Sequence, residues 1–440
     1  MIAATGSGRG KTTFVTGLLK ALKENMGNSK SIHAFKCGPD YIDPMFHRDV
    51  LGIPSTNLDS FFCNKALLNE VFNKNAGDIN VVEAAMGLYD GIGTSKRASA
   101  MEIASLLGIK IVLLVDGSGM GYSIIPMIKG FLSEDENKLI SGIVINRISE
   151  RYYSRIAPVI EKETGIKVLG FLPNVKGAQL DSRHLGLVFP DEADFQKKVS
   201  LISEQIKKSV NIDGIIAIGT ESNKIAGNVK EVGCESTVID NALCGKKIFV
   251  ARDEAFTFCY EENIKLLKRF GASISFFSPL HDKGIGEDAD VIILYGGYPE
   301  NYAKELSSNK CMLESISRAS NRGVKIIAEC GGFMYLTDYI SVDGINYEMA
   351  HVISGHAYRK TGLVRFGYVN VLSQSNDCVI KAHEFHHFDV DDVEYTDEYV
   401  VVNEATREEY KGIVKRDNIF AGYPHLYYLS NPEFIVGLIK

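Results

Sequence analysis

The sequence predicts two consecutive α/β domains, each organised around a largely parallel sheet. Two observations carry this. Short apolar runs of strand length alternate with segments of helical period, which implies parallel strands covered on both faces. That alternation fades over residues 219–246 and restarts at 247.

The bulk properties agree. The chain has 440 residues, and at roughly 100–200 residues per domain that allows two to four domains. Hydrophobic residues make up 45% and charged residues 23%, so wholesale disorder is excluded. The net charge of −7 argues against a broad basic face for nucleic acid. No apolar run approaches the ~18 residues of a membrane span, so no membrane partner is expected. A glycine-rich loop starts a few residues after Met1, leaving no room for an export signal. Eight cysteines without a C-x-x-C pair read as reduced thiols, and the cytoplasm is the expected address.

The elements follow in order. Met1 to Ala4 precede the glycine-rich loop and are short beside the ~5–6 residues of a usual strand, which leaves open whether the native start lies upstream of Met1. Phe14, Leu18, Leu19 and Leu22 then form a helical stripe. Ile32 to Phe35, Ile79 to Val82, Lys110 to Val115, Gly142 to Ile145 and Val168 to Leu172 read as buried strands. These place a first domain at 1–218. Gly219, Gly227 and Cys244-Gly-Lys-Lys punctuate a polar linker at 219–246. The domain at 247–440 opens with strand Lys247 to Ala251 and a helix over Glu261 to Arg269. Strands Ile274 to Phe277 and Val291 to Leu294, a helix before Gly323 and strand Val324 to Ala328 follow. Tyr368 to Leu372 and Tyr399 to Val402 add strands near the end.

The first chemistry lies at Ala4-Thr-Gly-Ser-Gly-Arg-Gly-Lys-Thr-Thr. Gly6, Gly8 and Gly10 allow backbone N–H groups to converge on phosphate, helped by the helix that follows. Lys11 would reach the β- and γ-phosphates, and the Thr12 hydroxyl would bind Mg²⁺. Thr5 stands where the strict phosphate-loop pattern has its first glycine. Glu83 and Asp116 each end a strand, where a carboxylate faces the ligand crevice of a parallel sheet. A loop after the second strand carries Lys36, Asp40, Tyr41 and Asp43. Two prolines and a glycine are expected to hold it in an irregular shape.

The second chemistry lies at Cys330. Strand, cysteine, two glycines and helix together suggest a nucleophile elbow. A helix N-terminus beside the sulfur is expected to favour thiolate. The N–H groups of Gly331 and Gly297 are candidate oxyanion donors. His425 is the chosen base, with His383, His386 and His387 as alternatives. His383-Glu-Phe-His-His matches a zinc-protease pattern, but that chemistry needs a helix. The alternation around Phe388 and Val390 suits a strand.

These motifs resemble the cobyrinate a,c-diamide synthase family. The signatures are Phe35-Lys-Cys-Gly-Pro-Asp-Tyr-Ile-Asp-Pro, Asn57-Leu-Asp-Ser-Phe-Phe, Glu83-Ala-Ala-Met-Gly-Leu-Tyr-Asp-Gly, Ser182-Arg-His-Leu-Gly-Leu, Gly296-Gly-Tyr-Pro-Glu and Cys330-Gly-Gly-Phe-Met-Tyr-Leu. The resemblance implies a dethiobiotin-synthetase-like P-loop domain followed by a flavodoxin-like class I glutamine amidotransferase domain. It implies that glutamine is hydrolysed at Cys330 with His425 as base. The ammonia would then amidate two tetrapyrrole carboxylates, a and c, after ATP has phosphorylated them. By motif, Gly6, Gly8, Gly10, Lys11, Thr12, Thr13, Lys36 and Asn146 would hold ATP. Thr12, Asp40 and Glu83 would hold Mg²⁺, and Tyr41, Ile42, Asp43 and Asp90 would serve the tetrapyrrole.

Three positions depart from the family pattern. Ile42 replaces Leu, Ala84 replaces Gly, and Tyr427 stands where a class I triad has Glu. That leaves His383 or Glu384 as candidates to orient His425. The alternative substrates are hydrogenobyrinate and nickel-sirohydrochlorin, and a homodimer is left open. A non-enzymatic P-loop partition or scaffold ATPase is the reading of another class, and Cys330 argues against it.

Overall fold

Seven short apolar strands build the first sheet. They are β1 (Ile2–Ala4), β2 (Ile32–Cys37), β3 (Ser55–Leu58), β4 (Ile79–Glu83), β5 (Ile111–Asp116), β6 (Ile140–Asn146) and β7 (Val168–Leu172). Their order is β3-β2-β4-β1-β5-β6-β7, and every pairing is parallel. β5 is buried from end to end, as a strand covered on both faces must be. The computed structural model describes residues 1–27, 29–178, 192–226, 241–375 and 378–440.

Helices α1 (Lys11–Met26), α2 (Ile42–Asp49), α3 (Lys65–Asn75), α4 (Ala100–Leu107), α5 (Ile124–Ser133), α6 (Glu150–Thr164), α7 (Glu192–Ser209) and α8 (Ile212–Ala226) complete this unit. Phe14, Leu18, Leu19 and Leu22 of α1 are buried in one core with Phe195, Val199, Ile202 and Ile206 of α7. The approach is close, because a Cβ at Gly17 would lie 2.4 Å from the Ile202 side chain.

One expectation is corrected here. The segment after Asp40 is a helix, since Ile42 to Asp49 form α2. Pro44 does not prevent this because it sits in the first turn, where its missing N–H has no helical partner to lose. Ala84 needs no glycine. It is absent from the residues of positive φ, and its N–H extends the sheet by donating to Ile2 O at 3.0 Å.

The second unit begins with β8 (Lys247–Ala251), α9 (Glu261–Arg269), β9 (Ser273–Phe277), β10 (Val291–Leu294), α10 (Ala303–Ser308), α11 (Lys310–Asn321), β11 (Lys325–Glu329) and α12 (Gly331–Leu336). Strand-rich sequence follows: β12 (Tyr339–Val342), β13 (Ile345–Glu348), β14 (His356–Arg359), β15 (Arg365–Ser373), β16 (Val379–His386), β17 (Phe388–Asp391), β18 (Tyr399–Asn403), β19 (Glu409–Tyr410), β20 (Ile413–Arg416), β21 (Ile419–Gly422) and β22 (His425–Leu426). Helix α13 (Pro432–Ile439) ends the unit.

Its main sheet runs β20-β21-β11-β10-β8-β9, parallel except for the β20 edge. In β10, Ile292 and Leu294 enter one apolar core, whereas Val291 and Ile293 enter another. This two-sided burial is the signature of a central parallel strand. An antiparallel sheet, β19-β18-β15-β16-β22, lends Val369, Val371, Ile380, Ala382 and Val401 to the second core. The division into two compact units falls between residues 234 and 235.

Candidate active sites

In the first unit the candidate residues gather at the carboxyl ends of β1, β2, β4 and β6, where ligands of open parallel sheets bind. Gly8 and Gly10 adopt φ of 69° and 87°, a left-handed backbone that glycine accepts without strain. A Cβ on Gly10 would also fall 2.4 Å from Asn146 Nδ2. Asn146 donates from Nδ2 to Arg9 O at 2.8 Å, so the end of β6 holds the loop directly. Thr13 follows in the first turn of α1.

Below the loop lies a buried ionic cluster. Thr12 Oγ1 donates to Glu83 Oε1 at 2.8 Å and stands 3.3 Å from Asp43 Oδ2. Lys36 Nζ bonds Asp43, reaches Glu83 Oε1 at 2.9 Å and lies 3.6 Å from Asp40. Burial opposes the Lys36 charge, but Asp43, Glu83 and Asp40 outweigh it and hold the ammonium well above its usual range. Burial pushes the fully enclosed Glu83 carboxyl up to about 7. Burial and Asp43 likewise raise Asp40, whose Oδ1 accepts the Ile42 and Asp43 N–H groups that open α2. Tyr41 stands at the N-cap position of that helix, with no capping bond from its side chain.

Lys11 folds back over its own loop, donating to Gly6 O at 3.2 Å and to Met86 O. Burial and the nearby Lys36 pull it down to about 8. An arriving phosphate would raise it again. Asp90 braces the same strip, with Oδ2 accepting the Gly87 N–H at 2.8 Å. Thr12, Asp40, Asp43 and Glu83 are oxygen donors of the kind a small hard cation takes, but here they surround the Lys36 ammonium, and among the described residues no group of three or more His, Cys, Asp or Glu is arranged to hold a metal.

Asp116 belongs to a different structure. Its Oδ2 accepts Arg147 Nη1 at 2.8 Å and Arg9 Nη1 at 3.4 Å, and its Oδ1 accepts Ser118. Burial would raise its pKa, but these bonds prevail and hold it low. Arg147 also donates to Gly8 O at 3.0 Å. Asp116 therefore ties down the phosphate loop from one side and stays out of the Glu83 cluster.

Sequence reasoning passed over two residues here. Arg147 carried no motif signal. His47, fully buried, points Nε2 at Glu83 Oε2 across 3.7 Å. Its spacing of four from Asp43 on a helix was the available clue. The Ser182 to Leu187 motif lies outside the described residues.

In the second unit, Cys330 follows β11 with φ 48° and ψ −107°, the strained turn expected of an elbow. Its N–H donates to Gly422 O at 2.8 Å. Glycine is required around it. A Cβ on Gly331 would stand 2.7 Å from Pro299 and 3.1 Å from Gly297 N, and one on Gly296 would stand 2.2 Å from His425 Cε1. The Gly296–Gly297 loop is pinned in turn. Phe258 N–H donates to Gly296 O at 3.0 Å, and Tyr298 N–H donates to Ala255 O at 3.0 Å. Thus the elbow, the Gly297 N–H and the His425 imidazole converge on one small volume.

The other histidines are engaged elsewhere. His387 Nδ1 bonds Gly362 O at 2.7 Å on an exposed surface. His386 bonds Phe388 O at 2.6 Å and stacks on Tyr423 with centroids 3.7 Å apart. His383 and Glu384 lie within β16, so the zinc-like pattern runs along a strand. His383 pairs directly across from His425, whereas Glu384 accepts the Tyr410 hydroxyl.

The thiolate expectation is corrected. Burial and the Glu300 carboxylate push the Cys330 thiol up, and the Gly331 N–H opposes them without prevailing. Burial, reinforced by His383 and His386, pulls His425 down to about 3. α12 has only six residues, and its N-terminus cannot offset that desolvation. Both shifts favour the uncharged forms, a thiol and an imidazole, which suits proton transfer during attack.

Residues 1–188 match the family described as the CobQ/CobB/MinD/ParA nucleotide binding domain. Residues 247–433 match the CobB/CobQ-like glutamine amidotransferase domain. The chain is 36% identical to a cobyrinate a,c-diamide synthase of Listeria innocua, covering 100% of this chain and 98% of the relative. The protein of the same name from Fusobacterium nucleatum is 35% identical over 99% of this chain and 98% of its own. That from Salmonella typhimurium is 34% identical over 99% and 96%. Likeness at this level along the whole length means that the chain belongs to the cobyrinate a,c-diamide synthase family.

Proposed function

We propose that this chain uses glutamine and ATP to amidate the a and c carboxylates of cobyrinate in cobalamin synthesis. The observation that carries the reading is the convergence of Cys330, Gly297 N–H and His425 on two glycines that tolerate no side chain. His425 takes the thiol proton as sulfur attacks the glutamine side-chain carbonyl. The Gly297 and Gly331 N–H groups receive the oxyanion. Ammonia leaves with the proton returned by His425, and water then releases glutamate from the thioester.

The ammonia is used in the first unit. A carboxylate is a poor acyl donor, so its oxygen must first accept the γ-phosphoryl of ATP. Ammonia then displaces phosphate and leaves an amide. Lys11, Lys36 and the loop N–H groups hold the phosphates, while Asn146 keeps the loop in place and borders the adenine. Thr12, Asp40 and Glu83 would hold Mg²⁺, which neutralises phosphate charge in such transfers. Tyr41, Ile42, Asp43 and Asp90 face the tetrapyrrole. No helix among the described residues is long and apolar enough to cross a membrane, and the free thiols suit a reducing cytoplasm.

The test is product mass spectrometry after incubation with ATP, glutamine and, in parallel, cobyrinate, hydrogenobyrinate or nickel-sirohydrochlorin. Diamide from cobyrinate is the expected product. Diamide only from another macrocycle reassigns the substrate. No amide from any of the three refutes the reading.

A further inference from the structure

The segment that carries His425 is gripped by buried polar groups that the proposed chemistry does not use. Glu329 ends β11 one residue before the thiol and is 2% exposed. The Tyr428 hydroxyl donates to its Oε1 at 3.3 Å, and the Leu426 N–H also bonds its carboxyl group. Asn263 on α9, fully buried, holds the same stretch. Its Nδ2 donates to Leu426 O at 2.9 Å, and its Oδ1 accepts the Tyr428 N–H at 2.9 Å. The backbone from Leu426 to Tyr428 is therefore clamped by two side chains. Antiparallel pairing to β16 adds a third grip, with His383 opposite His425 and Tyr427 N–H donating to Lys381 O at 3.0 Å. Tyr295, one residue before Gly296, stands beside Tyr428 with ring centroids 6.1 Å apart. The three segments bearing Gly297, Cys330 and His425 thus meet at one buried cluster.

Such a cluster is costly to enclose unless it serves geometry. Burial pushes the Glu329 carboxyl well above its usual range, against the opposing bonds from Leu426 and Tyr428.

We propose that Glu329 is a positioning residue for glutamine hydrolysis: it locks the backbone of residues 426–428 against the strand that ends in the thiol and so sets where the His425 imidazole stands. This rests on the reading that Cys330 and His425 hydrolyse glutamine. A displacement of about 1 Å in a reacting group costs on the order of 100-fold in rate.

The test uses the full-length chain with Glu329→Gln and Glu329→Leu. Glutamate release reports kcat and KM for glutamine, and ATP-dependent amidation of cobyrinate with ammonium chloride reports the first unit. Glu329→Leu is expected to lower glutaminase kcat roughly 30- to 100-fold, with KM within about threefold and ammonium-driven amidation intact. Glu329→Gln, which keeps the side-chain shape and one acceptor oxygen, is expected to bring kcat to within about threefold of wild type. Unchanged kcat in the leucine variant overturns the proposal. So does a parallel loss of both activities, or a glutamine variant as damaged as the leucine one. A wild-type chain that releases no glutamate removes the glutaminase reading beneath it instead.

Discussion

Gly296→Ala offers a direct measure of how tightly the thiol site is assembled. The added Cβ would stand 2.2 Å from His425 Cε1 and about 3 Å from both ring nitrogens. Ordinary contact begins near 3.4 Å, so the ring must retreat by about 1 Å or the glycine loop must shift by as much. The loop has little freedom, since Phe258 holds Gly296 O and Ala255 O holds the Tyr298 N–H. The imidazole is therefore the part that moves. A shift of that size predicts a loss of about 100-fold in glutaminase kcat, or roughly 2.7 kcal/mol of barrier. The assay is glutamate release under saturating glutamine, with ammonium-driven amidation as the control for the first unit. A kcat within about threefold of wild type would refute the claim that His425 works from beside Gly296.

Four further outcomes follow from the same structure. Cys330→Ala should abolish glutamine-dependent amidation and leave the ammonium-dependent reaction, measured by ADP release; loss of both refutes two separable sites. Glu83→Gln should lose ATP-dependent amidation and keep Mg²⁺-independent glutamate release, and equal loss of both would refute the assignment of Glu83 to the phosphate side. Gly10→Ala, forced to φ 87° with its Cβ 2.4 Å from Asn146 Nδ2, should weaken binding of a non-hydrolysable ATP analogue by at least about tenfold in calorimetry. Acid should destabilise the second unit through His425, His383 and His386, which burial pulls down to about 3, 3 and 4. Below the ordinary histidine range of about 6.5 the unfolded chain binds protons that the folded chain refuses, so stability falls as pH drops toward about 4, by up to 1.4 kcal/mol per unit for each histidine. Glu300 and Glu384, raised by burial to about 7, act in the opposite sense and lose stability as pH rises through about 4.5 to 7. Thermal melts of wild type and His383→Gln across that range check the sign, and an unchanged acid slope in the variant contradicts it.

Much of the architecture could be read before any coordinates, because local pattern and burial coincide in parallel sheets. Lys247 to Ala251, Val291 to Leu294 and Val168 to Leu172 run as continuous apolar segments and occupy those spans as strands. The edge and meander strands β12 to β14 escaped notice, since half-exposed stretches such as Ile345–Glu348 carry little periodic signal. Pro44 in α2 shows the opposite failure, where a breaker is harmless at a position that the sequence alone does not reveal.

The chemistry divides in the same way. Glycine spacing, Lys11, Thr12, Lys36, Glu83 and Cys330 announced themselves because phosphate cradles and elbows demand particular residues at particular intervals. The fate of Asp116 did not. It shares the strand-end logic of Glu83, yet Arg147 and Arg9 claim it. The protonation states of Cys330 and His425 were also out of reach, because desolvation depends on everything packed around a group and not on its neighbours in the chain. The grip of Glu329 and Asn263 on residues 426–428 joins positions 97 to 165 residues apart. The sequence by itself thus determined which reactive groups exist and on which elements they ride. Only the tertiary structure decided which of them meet, since contact across such distances is settled by sheet order and burial.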